Sequence, residues 1–135
     1  MRKLPRSGLV QLSVKRFIVM QSRILVIDDE KAICDGCSLV LSEQGHKVDA
    51  CRTGREGLQA LKGDEYDLVL LDMKLPDLDG IEILRSLKGR YSGAYVIVIT
   101  GYSTVENAVE AMKLGAFDYL SKPFSDDELV LAVDR

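Results

Sequence analysis

Three short apolar runs punctuate the chain: Ile24-Leu25-Val26-Ile27, Leu68-Val69-Leu70-Leu71 and Val96-Ile97-Val98-Ile99. Each is too brief for an independent helix and has no polar interruption, which is the pattern of a strand covered on both faces. Lys47-Val48-Asp49-Ala50-Cys51 alternates instead, and the stretch Phe117 to Leu120 is brief. These two suit the edges of a sheet, so five strands are predicted.

The intervening segments carry helical patterns with legible starts. A Ser, Thr or Asp followed three residues later by Glu lets the two residues satisfy each other's orphan backbone donors. Thr53 with Glu56, Ser103 with Glu106 and Ser125 with Glu128 fit this pattern, and Asp79 with Glu82 is a looser version. After Ser103, the residues Val105, Ala108, Val109 and Met112 recur at helical spacing, which predicts one apolar stripe packed on the sheet. Gly45, Gly63, Gly89 and Gly115 fall near predicted helix ends, where a left-handed residue costs least. Strict β-α alternation implies an α/β fold, a (βα)5 doubly wound parallel sheet with right-handed crossovers. With the continuous runs in the middle, the strand order is predicted as 2-1-3-4-5, the flavodoxin-like arrangement. Ligands of such sheets sit beyond the carboxyl ends of the strands.

Composition refines this picture. The length of 135 residues suits one domain, and 47% hydrophobic with 29% charged residues suits a soluble globular chain. Residues 1–22 hold five Lys/Arg and no acid, so residues 23–135 carry 13 basic against 21 acidic side chains, near −8. That balance excludes a nucleic-acid surface on the body of the chain, because phosphate neutralisation needs clustered cations. Lys15 and Arg16 interrupt the early apolar stretch, no run approaches membrane-spanning length, and residues 1–22 are expected to stand outside the fold as an extension. Three cysteines with no secretory context point to a reducing cytoplasm rather than a disulfide framework. Cys34-Asp35-Gly36-Cys37 is nominally a redox spacing, but Ile33, Cys37, Val40 and Leu41 share one helical face, so Cys37 reads as a small core residue. His46, the sole histidine, follows Gly45 in a predicted turn and is expected to be exposed.

The strand ends hold the candidate chemistry. Asp28, Asp29 and Glu30 follow the first strand, Asp72 the third, Thr100 the fourth, and Ser121, Lys122 and Pro123 the fifth. Carboxylates gathered at one edge repel one another unless a cation or raised pKa values intervene. Mg²⁺ suits such a hard oxygen set, whereas one histidine and no clustered thiolates leave zinc without ligands. An aspartate can serve as nucleophile to phosphorus, with metal, ammonium and hydroxyl groups stabilising the charge that spreads over the phosphoryl oxygens. An aspartyl-nucleophile phosphatase shares these parts, but Lys74 stands where that class wants a second acid. A flavin module needs a glycine- and hydroxyl-rich loop where Asp28-Asp29-Glu30 stands.

The segments Ile24-Leu-Val-Ile-Asp28-Asp29-Glu30, Leu70-Leu-Asp72-Met-Lys-Leu-Pro76-Asp-Leu-Asp79-Gly80, Val98-Ile-Thr100-Gly101 and Asp118-Tyr-Leu-Ser-Lys122-Pro123-Phe124 resemble the receiver domains of two-component response regulators, over residues 23–135. The stretch Thr104 to Tyr119 is similar to receivers of the nitrogen-regulation (sigma-54 activator) type. The resemblance implies that Asp72 is the phosphoacceptor. It also implies that Asp28, Asp29, Asp72 and the backbone carbonyl of Lys74 hold Mg²⁺, and that Thr100 and Lys122 contact the phosphoryl group. By the same resemblance Thr100 and Tyr119 form a switch, the Lys122-Pro123 bond is cis, and the chain is a phosphoacceptor switch rather than a turning-over enzyme. Its partners would be a cognate histidine kinase, an output domain or partner protein controlling transcription, and a second copy of itself when phosphorylated. The last helix is shorter than the family norm, as in a truncated chain.

Overall fold

The computed structural model describes residues 21–90, 93–101 and 104–134. Among the described residues five strands and five helices alternate: β1 (Arg23–Ile27), α1 (Lys31–Glu43), β2 (Lys47–Cys51), α2 (Gly54–Gly63), β3 (Leu68–Asp72), α3 (Gly80–Arg90), β4 (Tyr95–Thr100), α4 (Val105–Lys113), β5 (Asp118–Ser121) and α5 (Asp126–Asp134). The strands form one parallel sheet in the order β2-β1-β3-β4-β5. The continuous apolar runs take the three central places, because only a strand covered on both faces needs apolar side chains at every position. Alternate residues then divide between two cores. Leu25, Ile27, Val69, Leu71, Val96 and Val98 pack with Leu61 of α2, Ile83, Leu84 and Leu87 of α3, and Ala111 of α4. Ile24, Val26, Leu68, Leu70, Ile97 and Ile99 pack with Cys34, Cys37 and Leu41 of α1, and Leu129 and Ala132 of α5. Among the described residues no helix is long and apolar enough to cross a membrane.

The helix starts follow the sequence in part. Ser125 and Glu128 form the full reciprocal pair, Ser125 N–H donating to Glu128 Oε1 (2.9 Å) and Glu128 N–H to Ser125 Oγ (3.1 Å). Thr53 Oγ1 accepts from Glu56 N–H (3.1 Å), but the Glu56 carboxylate reaches Arg52 N–H rather than that of Thr53. Ser103 lies outside the described residues, and α4 is capped by Thr104, whose Oγ1 accepts from Asn107 N–H (3.1 Å). Asp79 Oδ1 accepts from Ile81 N–H (3.1 Å), one position earlier than a capping box requires. Gly45 and Gly115 adopt φ of 94° and 98° after α1 and α4, the left-handed ends glycine favours. Gly63 and Gly89 instead sit within α2 and α3. At Gly80 a side chain is excluded by close approach: a Cβ there would lie 2.5 Å from Met73 Cα and 2.9 Å from the Asp72 carbonyl oxygen.

Two expectations are overturned. The Val105, Val109 and Met112 stripe of α4 faces outward, with 77%, 46% and 47% exposure, and the helix rests on the sheet through fully buried Ala111. Small side chains let the helix sit close to β5, which turns the larger apolar residues away from the sheet. His46 is buried, because the turn carrying it folds back on the segment before β1. Its Nδ1 accepts from Ser22 N–H (2.9 Å), and its Nε2 is buried without a hydrogen-bond partner. Burial lowers the His46 pKa, outweighing the opposite pull of Asp134. A proton on Nδ1 would remove the acceptor, so the neutral ring stabilises the fold. That contribution is complete above the ordinary value of 6.5 and is lost as pH falls through the lower folded value. The unfolding midpoint in urea is therefore expected to fall more steeply from pH 7.5 to 5 in the wild type than in His46→Gln. Parallel pH profiles would remove this role from His46.

Candidate functional site at the carboxyl edge of the sheet

The parallel register brings the strand ends level. Asp28 immediately follows β1, with its N–H on the Cys51 carbonyl at the end of β2 (3.0 Å), and Asp72 ends β3 opposite Ile99. Thr100 ends β4 opposite Ser121, and Lys122 N–H donates to the Thr100 carbonyl (2.9 Å). Carboxylate oxygens of Asp28, Asp29 and Asp72 lie within 4.8 Å of one another. Asp28 and Thr100 have no exposed surface and Asp72 has 3%.

Lys122 brings a positive charge into contact with two of these carboxylates. Its Nζ stands 2.8 Å from Asp28 Oδ2, 2.7 Å from Glu30 Oε1 and 3.4 Å from Asp72 Oδ2. Burial alone would lower the Lys122 pKa, but contacts with Asp28 and Glu30 and the charge of Asp72 prevail and raise it, so the ammonium is permanent at neutral pH. Glu30 occupies the N-cap position of α1 without a side-chain capping bond, its carboxylate being drawn to Lys122 instead. Asp28 Oδ1 accepts from Glu30 N–H (2.9 Å), and Asp72 Oδ1 from Lys74 N–H (3.1 Å).

The Lys122 ammonium does not offset the burial of Asp72. Burial raises the Asp72 pKa from 3.8 to about 6, opposed by the Lys74 N–H bond, reinforced by Asp28 and opposed again by Lys122. Asp28 Oδ2 is fully buried and is met by the Lys122 ammonium at 2.8 Å. Three carboxylates whose oxygens converge within 4.8 Å, two of them buried, form a hard-oxygen donor set that fits a divalent cation.

Loops tie the site to its surroundings. Lys74 bridges Asp79 in antiparallel fashion and Gly80 N–H donates to the Met73 carbonyl (3.1 Å), folding the β3–α3 loop against the end of β3. A cleft of 580 Å³ runs beside this loop, between Lys74, Pro76 and Asp79 on one side and Asn107 and Glu110 of α4 on the other, and contains none of the three carboxylates. Tyr119 is half-buried on β5 and packs against the core under α4, and the Lys122–Pro123 peptide is cis. Cys34 and Cys37 are buried, Cys34 Sγ contacts the Asp28 carbonyl (3.2 Å), and burial pushes the Cys37 thiol up to about 12. Protonated, enclosed thiols are core residues rather than redox nucleophiles. The sequence reading left out the end of β2: Arg52 donates through Nε (3.1 Å) and Nη2 (2.9 Å) to the Asp29 carbonyl. Its signal was positional, a cation directly after a strand at the edge already holding every other candidate.

The profile of the response regulator receiver domain matches residues 24–134. The chain belongs to this family. The receiver is 40% identical over 114 residues to regulatory protein AtoC of Escherichia coli (strain K12), covering 84% of this chain and 25% of AtoC. It is also 40% identical to transcriptional regulatory protein FixJ of Bradyrhizobium diazoefficiens, covering 84% of this chain and 56% of FixJ. The receiver thus spans a quarter to somewhat over half the length of these relatives. A CheY-like receiver domain protein from Methanospirillum hungatei JF-1 superposes with a TM-score of 0.80 at 34% identity, over 84% of this chain and 90% of that one. The β2-β1-β3-β4-β5 sheet is therefore the receiver fold.

Proposed function

We propose that this receiver accepts a phosphoryl group on Asp72 from a cognate histidine kinase in the cytoplasm, as a reversible switch rather than a turning-over enzyme. The observation carrying the proposal is the placement of a buried Asp72 carboxylate between two further aspartates and a permanent ammonium. Mg²⁺ would be held by Asp28, Asp29, Asp72 and the Lys74 carbonyl. When bound, it supplies positive charge to the developing phosphoryl oxygens and relieves repulsion among the carboxylates. An Asp72 oxygen attacks phosphorus while the bond to the donor imidazole breaks, and the imidazole leaves with a proton. Lys122, freed from part of its acidic cage, and the Thr100 hydroxyl bind the phosphoryl oxygens.

The added charge and acceptor oxygens give Thr100 and Lys122 a new partner. Movement of Thr100 toward the phosphate would let Tyr119 turn inward and shift the population toward an active packing. The surface of α4, β5 and α5 would then control an output, by homodimerisation or by binding an output domain that acts on transcription. The outward Val105, Val109 and Met112 stripe supports that assignment. We take residues 23–135 as the receiver unit, to which Ser22 is already joined through His46 Nδ1 and Lys47 N–H.

Incubation with acetyl phosphate and Mg²⁺ is expected to add one phosphoryl mass that hydroxylamine removes and EDTA prevents. Asp72→Asn should acquire none, and a label surviving that substitution would sink the assignment. Tyr119→Ala should still be labelled but should not dimerise or bind its partner on phosphorylation. Unchanged coupling would remove Tyr119 from the switch.

A further inference from the structure

Two of the three site carboxylates are held directly, by Glu30 N–H on Asp28 and Lys74 N–H on Asp72. The Asp29 carboxylate has no hydrogen bond or ion pair among the described residues. What is fixed is its backbone, because the Asp29 carbonyl accepts two N–H groups from Arg52. A planar guanidinium fork closing on one oxygen restrains the direction of that carbonyl, and with it the torsion from which the Asp29 side chain projects.

Arg52 is itself mounted on a braced turn. Its N–H donates to Glu56 Oε1 (3.2 Å), and the residues after Thr53 are gripped by a second loop. Asp77, in the loop after β3, accepts Gly54 N–H (2.8 Å) and Arg55 N–H (2.9 Å), bonds that hold its carboxyl below the usual range. The turn from Arg52 to Arg55 thus joins the loop carrying Asp29 to the loop carrying Lys74, 23 and 22 positions apart in sequence from their partners.

We infer that Arg52 is a positioning residue for the metal site, holding the Asp29 carboxylate in place through its carbonyl, with Asp77 bracing the turn that carries Arg52. The inference rests on the proposed Mg²⁺ site and adds residues outside the acidic cluster. It also has a diagnostic sign. A guanidinium seated on the Asp29 carbonyl repels a dication arriving at that residue, so loss of its charge alone would tighten Mg²⁺ binding. Loss of positioning weakens binding.

The test is calorimetric titration of the unphosphorylated full chain with Mg²⁺, alongside thermal melts in EDTA. Arg52→Ala is expected to raise the Mg²⁺ Kd about tenfold, the low end for an outer residue supporting a ligand, while the EDTA melt barely moves. Arg52→Lys should not rescue binding, because an ammonium cannot close on the carbonyl with a fork. Asp77→Ala should weaken Mg²⁺ in the same direction, and combining it with Arg52→Ala should add little, since both cut one bracket. If Arg52→Ala does not fold, Arg52→Gln reads the same sign. A Kd that is unchanged or lower overturns the positioning role while leaving the metal site standing. A wild type that binds no Mg²⁺ overturns both.

Discussion

Replacing Lys122 with alanine should destabilise the metal-free receiver by about 3 kcal/mol, the low end for removing one partner from a buried ion pair. The ammonium faces Asp28 Oδ2 at 2.8 Å and Asp72 Oδ2 at 3.4 Å, and these carboxylates are 0% and 4% exposed. Glu30, at 2.7 Å, is 59% exposed and would simply return to water. The two buried carboxylates have no such recourse. They must either protonate, which costs free energy at neutral pH, or draw in solvent at the expense of packing. Urea unfolding in EDTA at pH 7.5 measures the effect, and a change within about 1 kcal/mol, the range of exposed ion pairs, would show that Lys122 is not their principal counter-charge. Added Mg²⁺ should recover part of the loss in the variant, because a dication relieves the same repulsion. Labelling by acetyl phosphate should slow about 100-fold, the effect of removing one preorganised donor from a site of developing charge.

Asp72→Asn is the complementary case, with the opposite sign. Holding the Asp72 carboxyl at about 6 rather than 3.8 means that its ionised form opposes folding by up to about 3 kcal/mol above pH 6. An amide of similar shape can keep one acceptor for Lys74 N–H while removing the charge. The metal-free variant should therefore be more stable than the wild type at pH 7.5, by roughly 1–3 kcal/mol after allowing for the buried amide. The sign of the pH dependence follows from a folded pKa above the unfolded one. The wild type suffers the full cost above about 6 and is relieved of it as pH falls toward 3.8, so the advantage of the variant should shrink between pH 7.5 and 4.5. Mg²⁺ should narrow the gap from the other direction by stabilising the wild type more. A variant no more stable than the wild type at pH 7.5 would mean that Asp72 is not under strain from burial.

If Asp72 is the phosphoacceptor proposed above, stability and phosphoryl acceptance pull on the same residue. A carboxylate enclosed at a sheet edge beside another buried acid is costly to the resting fold, and that enclosure is also what makes it responsive to a cation and to a change in its own charge. Glu30 fits the same logic. It is withdrawn from capping α1 and spent on Lys122, so the start of that helix is coupled to the electrostatics of the site.

The sheet and most of the site were legible in the sequence because both rest on local patterns. Continuous apolar runs mark central strands, alternation marks an edge, and a polar residue directly after such a run lies at the carboxyl edge once the sheet is parallel. Asp28, Asp72, Thr100 and Lys122 are brought together by register alone. The orientation of α4 was not legible. Val105, Val109 and Met112 have helical spacing whether they face a sheet or solvent, and the small Ala111 won the inward place because it permits closer packing. Nor was the burial of His46, which depends on Ser22, 24 positions earlier in the chain.

What the sequence determined by itself was the order of the elements, the sheet topology and the set of groups at its edge, because hydrophobic period and strand termini are properties of neighbouring residues. Tertiary structure alone decided how those groups are held. Lys122 divides itself among three acids, Asp77 caps a helix that begins 23 residues before it, and Arg52 closes on the Asp29 carbonyl. Each of these contacts joins residues 22 to 94 positions apart through flexible side chains, whose choice of partner depends on distances that exist only once the sheet has assembled.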